Sequence, residues 1–305
     1  MIYMLIAAIR FIAQRLPRSA SLRLGSGLGD LVYRTVRRRR QIALSNLRMV
    51  FGRDRKDEEL RRIARRSFQN MGKTLVEFLS FPAYGIDRVM SLVRVEGAEN
   101  FRQAMSMGKG LIVTTGHLGN WELISYVIAS MTDRFSAVVL PFRNRRLDEL
   151  VNRYRTIYGG GIIEKKMAVK QSLKLLREGY CIAILVDQDA GDSGVFVDFL
   201  GVPASAARGP IVLALRTGAP VISIFSIRQS DDSHLVTISK PLKLEISGDV
   251  ENDVKVNTAR LAGLLEEVVR RYPCQWLWMH NRWKTRPLKL FEKKLEQKGE
   301  NGGVR

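Results

Sequence analysis

His117 and Glu122 stand five residues apart in the stretch TTGHLGNWELISY, residues 114–126. An imidazole with its ordinary pKa near neutrality can draw a proton from a hydroxyl at physiological pH. A carboxylate bonded to its other nitrogen fixes the tautomer and raises the basicity. The two are therefore read as a general base and its partner. On a continuous helix a five-residue step turns by about 140°, which points the side chains apart. They can meet only if His117 lies in a loop and Glu122 in the first turn of the next helix, with Gly116 and Gly119 supplying the bend and Asn120 the N-cap. The competing reading is a histidine that merely satisfies loop backbone groups. In a chain with 30 acidic residues, one such spacing is a weak signal by itself.

Other residues with chemical potential lie further along. Asp187 and Asp189 end the apolar run CIAILVD, where buried carboxylates are costly unless paired, so they are expected to hold the site together, with Arg208 as a candidate partner. Gly209 and Pro210 open a helix whose amide end could face an anion. Several motifs are decoys. GDSGV at 191–195 is similar to a protease nucleophile stretch, but it sits in an alternating α/β pattern, and Ser193 reads as a turn residue. No GxSxG elbow is present. GSGLG at 25–29 follows no strand and reads as helix packing or a bend. A zinc site would need a third ligand near His117 and Glu122, and neither His234 nor His280 is placed to supply one. Trp276, Trp278 and Trp283 fit an acyl chain, a lipid interface or a core equally well.

The elements that must position these residues follow from periodicity. Leu60, Ile63, Ala64, Phe68, Met71, Leu75 and Phe78 recur at three- and four-residue spacing and close an all-helical N-terminal region. From residue 92, short apolar strands alternate with helices: LVRVEG, GLIVTT, SAVVLP, YCIAILVD and APVISIFSI, with helices over 98–107, 120–131 and 145–158. The pattern predicts an α/β fold with a mostly parallel central sheet covered by helices. HLVTISK and LKLEIS are expected to form an edge hairpin, and a last helix to span 251–272. The boundaries expected are 1–85 for a helical, membrane-associated region, 86–290 for the α/β domain and 291–305 for a charged tail. His117 then falls just past a strand, where open α/β sheets bind ligands.

Charge narrows the partners. The chain has 305 residues and a formal charge of +20, a field that attracts nucleic acid, anionic lipid or acidic protein. Residues 1–66 hold 17 Lys and Arg against 5 Asp and Glu. The opening MIYMLIAAIRFIAQRLP is interrupted by Arg10 and stopped by Pro17, too short to cross a bilayer and lacking the basic start of a secretory signal. It reads as an interfacial helix, with Arg10, Arg15, Arg18, Arg23 and the run RRRR at 37–40 among headgroups. Nucleic acid is disfavoured, because no recognised reading motif accompanies the charge. Two cysteines, one inside an apolar run, argue against a disulfide scaffold.

Three blocks in order, TTGHLGNWE, LVDQDAGDSGVFVDFLGVPASAARGPIVLALRTGAPVI and YPCQWLWMHNRWKTRP, resemble the bacterial lipid A late acyltransferases, the lauroyl and myristoyl transferase family, which is related to glycerolipid acyltransferases. The likeness runs from about residue 20 to 287. It implies transfer of a fatty acyl group from an acyl carrier protein thioester to a hydroxyl of an anionic glycolipid, the lipid A precursor, on the cytoplasmic face of the bacterial inner membrane. His117 would be the base and Glu122 its partner, with no cofactor or metal. The family's arginine in the helix after the third strand resembles Arg153 or Arg155 of VNRYRTIYG, whose guanidinium would suit a substrate phosphate, and Arg208 is a second such contact. An enzyme of the same fold using acyl-CoA on another glycolipid or aminolipid is the close alternative. The chemistry suits one base, since a thioester is already activated and needs no protein nucleophile.

Overall fold

A computed structural model describes residues 2–286. Five helices come first: α1 (Ile2–Ala13), α2 (Arg18–Thr35), α3 (Arg37–Phe51), α4 (Asp57–Tyr84) and α5 (Ile86–Met90). Pro17 separates the first two, as its missing amide and fixed φ dictate. Asp57, Glu58 and Glu59 in the first turn of α4 complement the helix dipole. Gly85, at φ +77, ends that helix. The GSGLG stretch is a packing surface: a Cβ on Gly29 would lie 2.1 Å from the Phe68 carbonyl oxygen, and one on Gly25 2.6 Å from that of Gly72. Small residues therefore let α2 and α4 approach backbone to backbone. Among the described residues no helix is long and apolar enough to cross a membrane.

The α/β part follows: β1 (Val93–Glu96), α6 (Ala98–Ser106), β2 (Leu111–Thr115), α7 (Leu123–Ala129), β3 (Phe135–Val139), α8 (Arg145–Arg155), β4 (Gly161–Glu164), α9 (Ala168–Arg177), β5 (Cys181–Leu185), β6 (Val195–Phe199), β7 (Val202–Ala206), α10 (Gly209–Thr217), β8 (Val221–Arg228), β9 (His234–Ile238) and α11 (Val250–Arg271). Seven strands form one sheet in the order β1-β9-β8-β2-β5-β3-β4, parallel at every pairing except β8 with β9. The expected α/β class, with its mostly parallel, helix-flanked sheet, is what forms. β2 is buried along its whole length, as a central parallel strand must be.

Two local expectations are corrected. HLVTISK does not pair with LKLEIS: β9 lies antiparallel to β8 and parallel to β1, while residues 242–247 form no strand. A long β8, buried throughout, offers the larger apolar ladder. The segment 195–206, to which the alternation assigned no element, forms a separate antiparallel pair, β6–β7, around the turn at Leu200 and Gly201. The helix expected over 120–131 is shortened to α7, so Asn120 lies before it and is no side-chain cap. The expected tail at 291–305 lies outside the described residues.

Candidate active site

Parallel pairing builds the site. β2 and β5 run side by side with Leu111 opposite Cys181 and Thr115 opposite Leu185, an offset of 70 residues. Continued two residues past both strand ends, that register sets His117 beside Asp187. The His117 ring Nδ1 is 2.8 Å from Asp187 Oδ1, and the His117 backbone N–H donates to Oδ2 at 2.7 Å. The indole N–H of Trp276 donates to the same Oδ2 at 2.9 Å. Burial raises the Asp187 carboxyl, but the charge and hydrogen bonds of His117, together with Trp276, pull it down to about 2. A carboxylate so held stays charged and keeps the proton of the imidazole on Nδ1. Nε2 has no protein partner among the described residues, and the side chain is 18% exposed against 2% for Asp187. The result is an acceptor nitrogen facing outward with a buried anion behind it.

The loop carrying His117 is clamped from two directions. Leu118 pairs with Trp276, the Gly119 amide donates to Gln275 O at 3.0 Å, and the Leu277 amide to His117 O at 3.1 Å. From α4, Asn70 Nδ2 and Thr74 Oγ1 donate to Gly119 O at 3.0 and 2.8 Å. Gly119, at φ +59, passes so close to β8 that a Cβ would stand 1.8 Å from the Ser226 carbonyl oxygen. Gly116 leaves room for the site itself, since a Cβ there would meet Leu265 Cδ1 at 2.8 Å and Asp187 Cγ at 3.3 Å.

Glu122 does not take the imidazole nitrogen expected of it. Its two oxygens accept from Arg155 Nε at 2.9 Å and Nη2 at 2.6 Å, and Oε1 also accepts from Trp121 Nε1 at 3.1 Å. Burial raises this carboxyl, yet the Arg155 charge and hydrogen bonds outweigh it and hold the group below its ordinary value. A forked guanidinium wins the carboxylate because it offers two parallel charge-assisted bonds where an imidazole offers one. Trp121 sits between the two chemistries, its ring edge-on to His117 at 5.0 Å. Glu122 therefore braces the loop against α8, and the carboxylate that His117 meets, Asp187, follows β5.

The other expected residues separate. Arg155 is in the site and engaged by Glu122, whereas Arg153 is exposed and stacks over Tyr154 at 5.8 Å. Asn120 is fully buried, and its amide donates to Glu77 Oε2 at 2.9 Å. Asp189 is one layer out, accepting from Thr285 Oγ1 at 2.8 Å, and its amide donates to His280 Nε2 at 3.2 Å. Arg208 pairs with Glu251 at 2.6 Å and not with either aspartate. The three C-terminal tryptophans are core, none more than 3% exposed. Among the described residues no cluster of His, Cys, Asp or Glu could hold a metal ion.

Residues 1–285 match the model of the bacterial lipid A biosynthesis acyltransferases. The chain belongs to this family. It is an acyltransferase of lipid A biosynthesis. Its relatives include the lipid A biosynthesis palmitoleoyltransferase of Escherichia coli K12, 27% identical over 90% of this chain and 88% of the relative, and the lauroyltransferase of the same organism, 26% identical over 92% and 90%. A phosphatidylinositol mannoside acyltransferase of Mycolicibacterium smegmatis is 23% identical over 72% of each chain. Within this lipid A acyltransferase, sequence reasoning passed over one buried cluster. Glu77 of α4, 3% exposed, accepts from Arg228 Nη2 at 2.6 Å, Arg18 Nη2 at 2.8 Å and Asn120, and lies 3.2 Å from His234 Nε2. Its signal in the sequence is slight: a glutamate inside an otherwise apolar helical stretch, LVEFLS.

Proposed function

We propose that the protein transfers a fatty acyl group from an acyl carrier protein thioester to a hydroxyl of a lipid A precursor, with His117 as general base and Asp187 as the anion that orients it. The observation that carries the reading is the 2.8 Å bond from His117 Nδ1 to Asp187, with Nε2 turned outward. Nε2 removes the proton of the acceptor hydroxyl as that oxygen attacks the thioester carbonyl, giving a tetrahedral oxyanion. Asp187 stabilises the imidazolium formed in that step. The carbon–sulfur bond then breaks, and the imidazolium proton passes to the departing thiolate, leaving an ester and a free thiol. No covalent acyl-enzyme is needed. Glu122 and Arg155 act by holding the loop, and the surplus of basic residues suits anionic partners on both sides, carrier protein and phosphorylated glycolipid. With helix α1 resting on the lipid surface, the reaction belongs at the cytoplasmic face of the inner membrane.

The test is purified protein with an acyl carrier protein thioester and a lipid A precursor, the product read by mass spectrometry. Gain of one acyl chain on the disaccharide is expected. Turnover only with acyl-CoA, or only on a mannosylated phosphoinositide or an aminolipid, overturns the donor or the acceptor separately.

A further inference from the structure

Beyond α1, a second element presents apolar and basic side chains together. The β3–α8 loop and the first two residues of α8, 140–146 together, are exposed at every position. Leu140 is 69% and Phe142 44% exposed. Arg143, Arg145 and Arg146 follow them. Arg145 meets only the exposed Glu149, at 2.8 Å, and Arg143 and Arg146 have no carboxylate partner among the described residues. Isolated apolar residues on a surface are ordinary, but a leucine and a phenylalanine followed at once by arginines, two of them without a carboxylate partner among the described residues, make an interfacial pattern: rings and branches enter the acyl boundary while guanidinium groups stay with the phosphates.

Two placements add to this. The helix that the loop leads into shares one apolar cluster with α1, formed by Leu150, Val151 and Tyr154 on one side and Ile9 and Ala13 on the other, and Arg10 reaches the Tyr154 hydroxyl at 3.5 Å. The outer face of α1 is itself apolar, with Met4, Leu5, Phe11 and Ile12 between 45% and 68% exposed. The loop also leaves β3 at the same sheet edge where His117 follows β2 and Asp187 follows β5, because the three strands are parallel neighbours in the order β2-β5-β3.

We propose that the 140–146 loop is a second contact with an anionic bilayer, and that with α1 it seats the molecule with the His117 edge of the sheet toward the lipid. This rests on the reading of α1 as a lipid-surface helix and extends it from attachment to orientation. A lipid acceptor can then reach Nε2 without leaving the headgroup layer. A bilayer suits the loop better than an acidic protein because the arginines follow directly on the exposed Leu140 and Phe142 and because the neighbouring helix exposes apolar residues.

The experiment is flotation of the full chain with vesicles, one set of phosphatidylcholine alone and one containing phosphatidylglycerol. Leu140→Ser with Phe142→Ser should lower partitioning to both by about tenfold. Arg143→Gln with Arg146→Gln should lower it on anionic vesicles only, by about fivefold per arginine. Phe142→Trp should show a blue-shifted emission, quenched by brominated lipid, when vesicles are added. These positions are exposed, so unchanged circular-dichroism melting is expected and separates lost binding from lost fold. If removal of residues 1–16 releases the protein while the loop variants partition as the parent does and the residue-142 indole stays wet, the loop proposal fails and the α1 reading stands. If that removal changes nothing, the α1 reading fails as well. Unaltered vesicle binding with a raised KM for the acyl carrier protein would assign the loop to the carrier instead, and overturn the proposal.

Discussion

Among the described residues there are two histidine–carboxylate pairs, and they have opposite surroundings. His117 and Asp187 meet at the mouth of the sheet, with the imidazole 18% exposed and one nitrogen outward. His234 and Glu77 are sealed, at 0% and 3% exposure of their side chains, with Glu77 also gripped by Arg228 and Arg18. Burial, with the nearby Arg228 and Arg18 charges, holds the His234 imidazole below its ordinary value against the pull of Glu77, so it stays neutral. The pair at the sheet mouth is the one that, in the proposed reaction, cycles a proton. The sealed pair cannot, because both its access to substrate and its capacity to carry charge have been removed. A histidine beside a carboxylate is thus a base only where the structure leaves a nitrogen for the substrate.

The comparison breaks most sharply on removing the His117 imidazole or the carboxylate behind it. His117→Ala should lower kcat by about 10³-fold or more with little change in melting, and Asp187→Asn by a similar factor through the wrong tautomer. Thioester turnover and thermal melting, measured together, check this. His234→Gln should do the reverse, lowering the melting temperature and leaving kcat of the folded fraction within a few-fold. A His234 variant that folds normally yet is inactive would void the distinction.

Glu77→Ala comes next. It strands Arg228 at the join of α4, β8 and the Asn120 loop, and should cost about 3–5 kcal/mol in denaturant unfolding, with a smaller loss for Glu77→Gln. Acidification gives a graded version of the same test. His234 is held below its unfolded pKa, so its contribution is complete above that value and is lost as pH falls through it. Asp187, Glu122 and Glu77 are all depressed carboxylates, whose contributions are present above the unfolded carboxylate range and lost on further acidification. Stability should therefore fall monotonically from neutral pH downward, first in the histidine range and then in the carboxylate range. A stability that rises on acidification to pH 5 would contradict the assignments. The smallest effect is expected at Arg208→Ala, which breaks a surface pair with Glu251: a change within about 1 kcal/mol and unaltered turnover.

Legibility in the sequence followed the range of the interaction. The strand–turn–helix around His117 was readable because apolar periodicity, Gly119 and position past a strand are all local. The partner was not, since Glu122 is near in sequence while Asp187 arrives from 70 residues away through strand pairing. Asp187 was legible only as a buried carboxylate in need of company. Asn120 looked like a helix cap because its type suits one, and Glu77, a long-range partner, took its amide instead. The β6–β7 hairpin and the β8–β9 pairing were missed for the same reason, as periodicity describes a strand but not its neighbour.

Sequence alone determined the alternation of strands and helices, the basic helical start and the loop that bears the imidazole. These depend on side-chain pattern and backbone preference within a few residues. Tertiary structure decided which carboxylate meets His117, which arginine occupies Glu122 and which histidine is sealed away. Those outcomes depend on β2 and β5 lying side by side in one register and on how deeply each charge is then buried. Neither quantity exists until the chain has closed on itself.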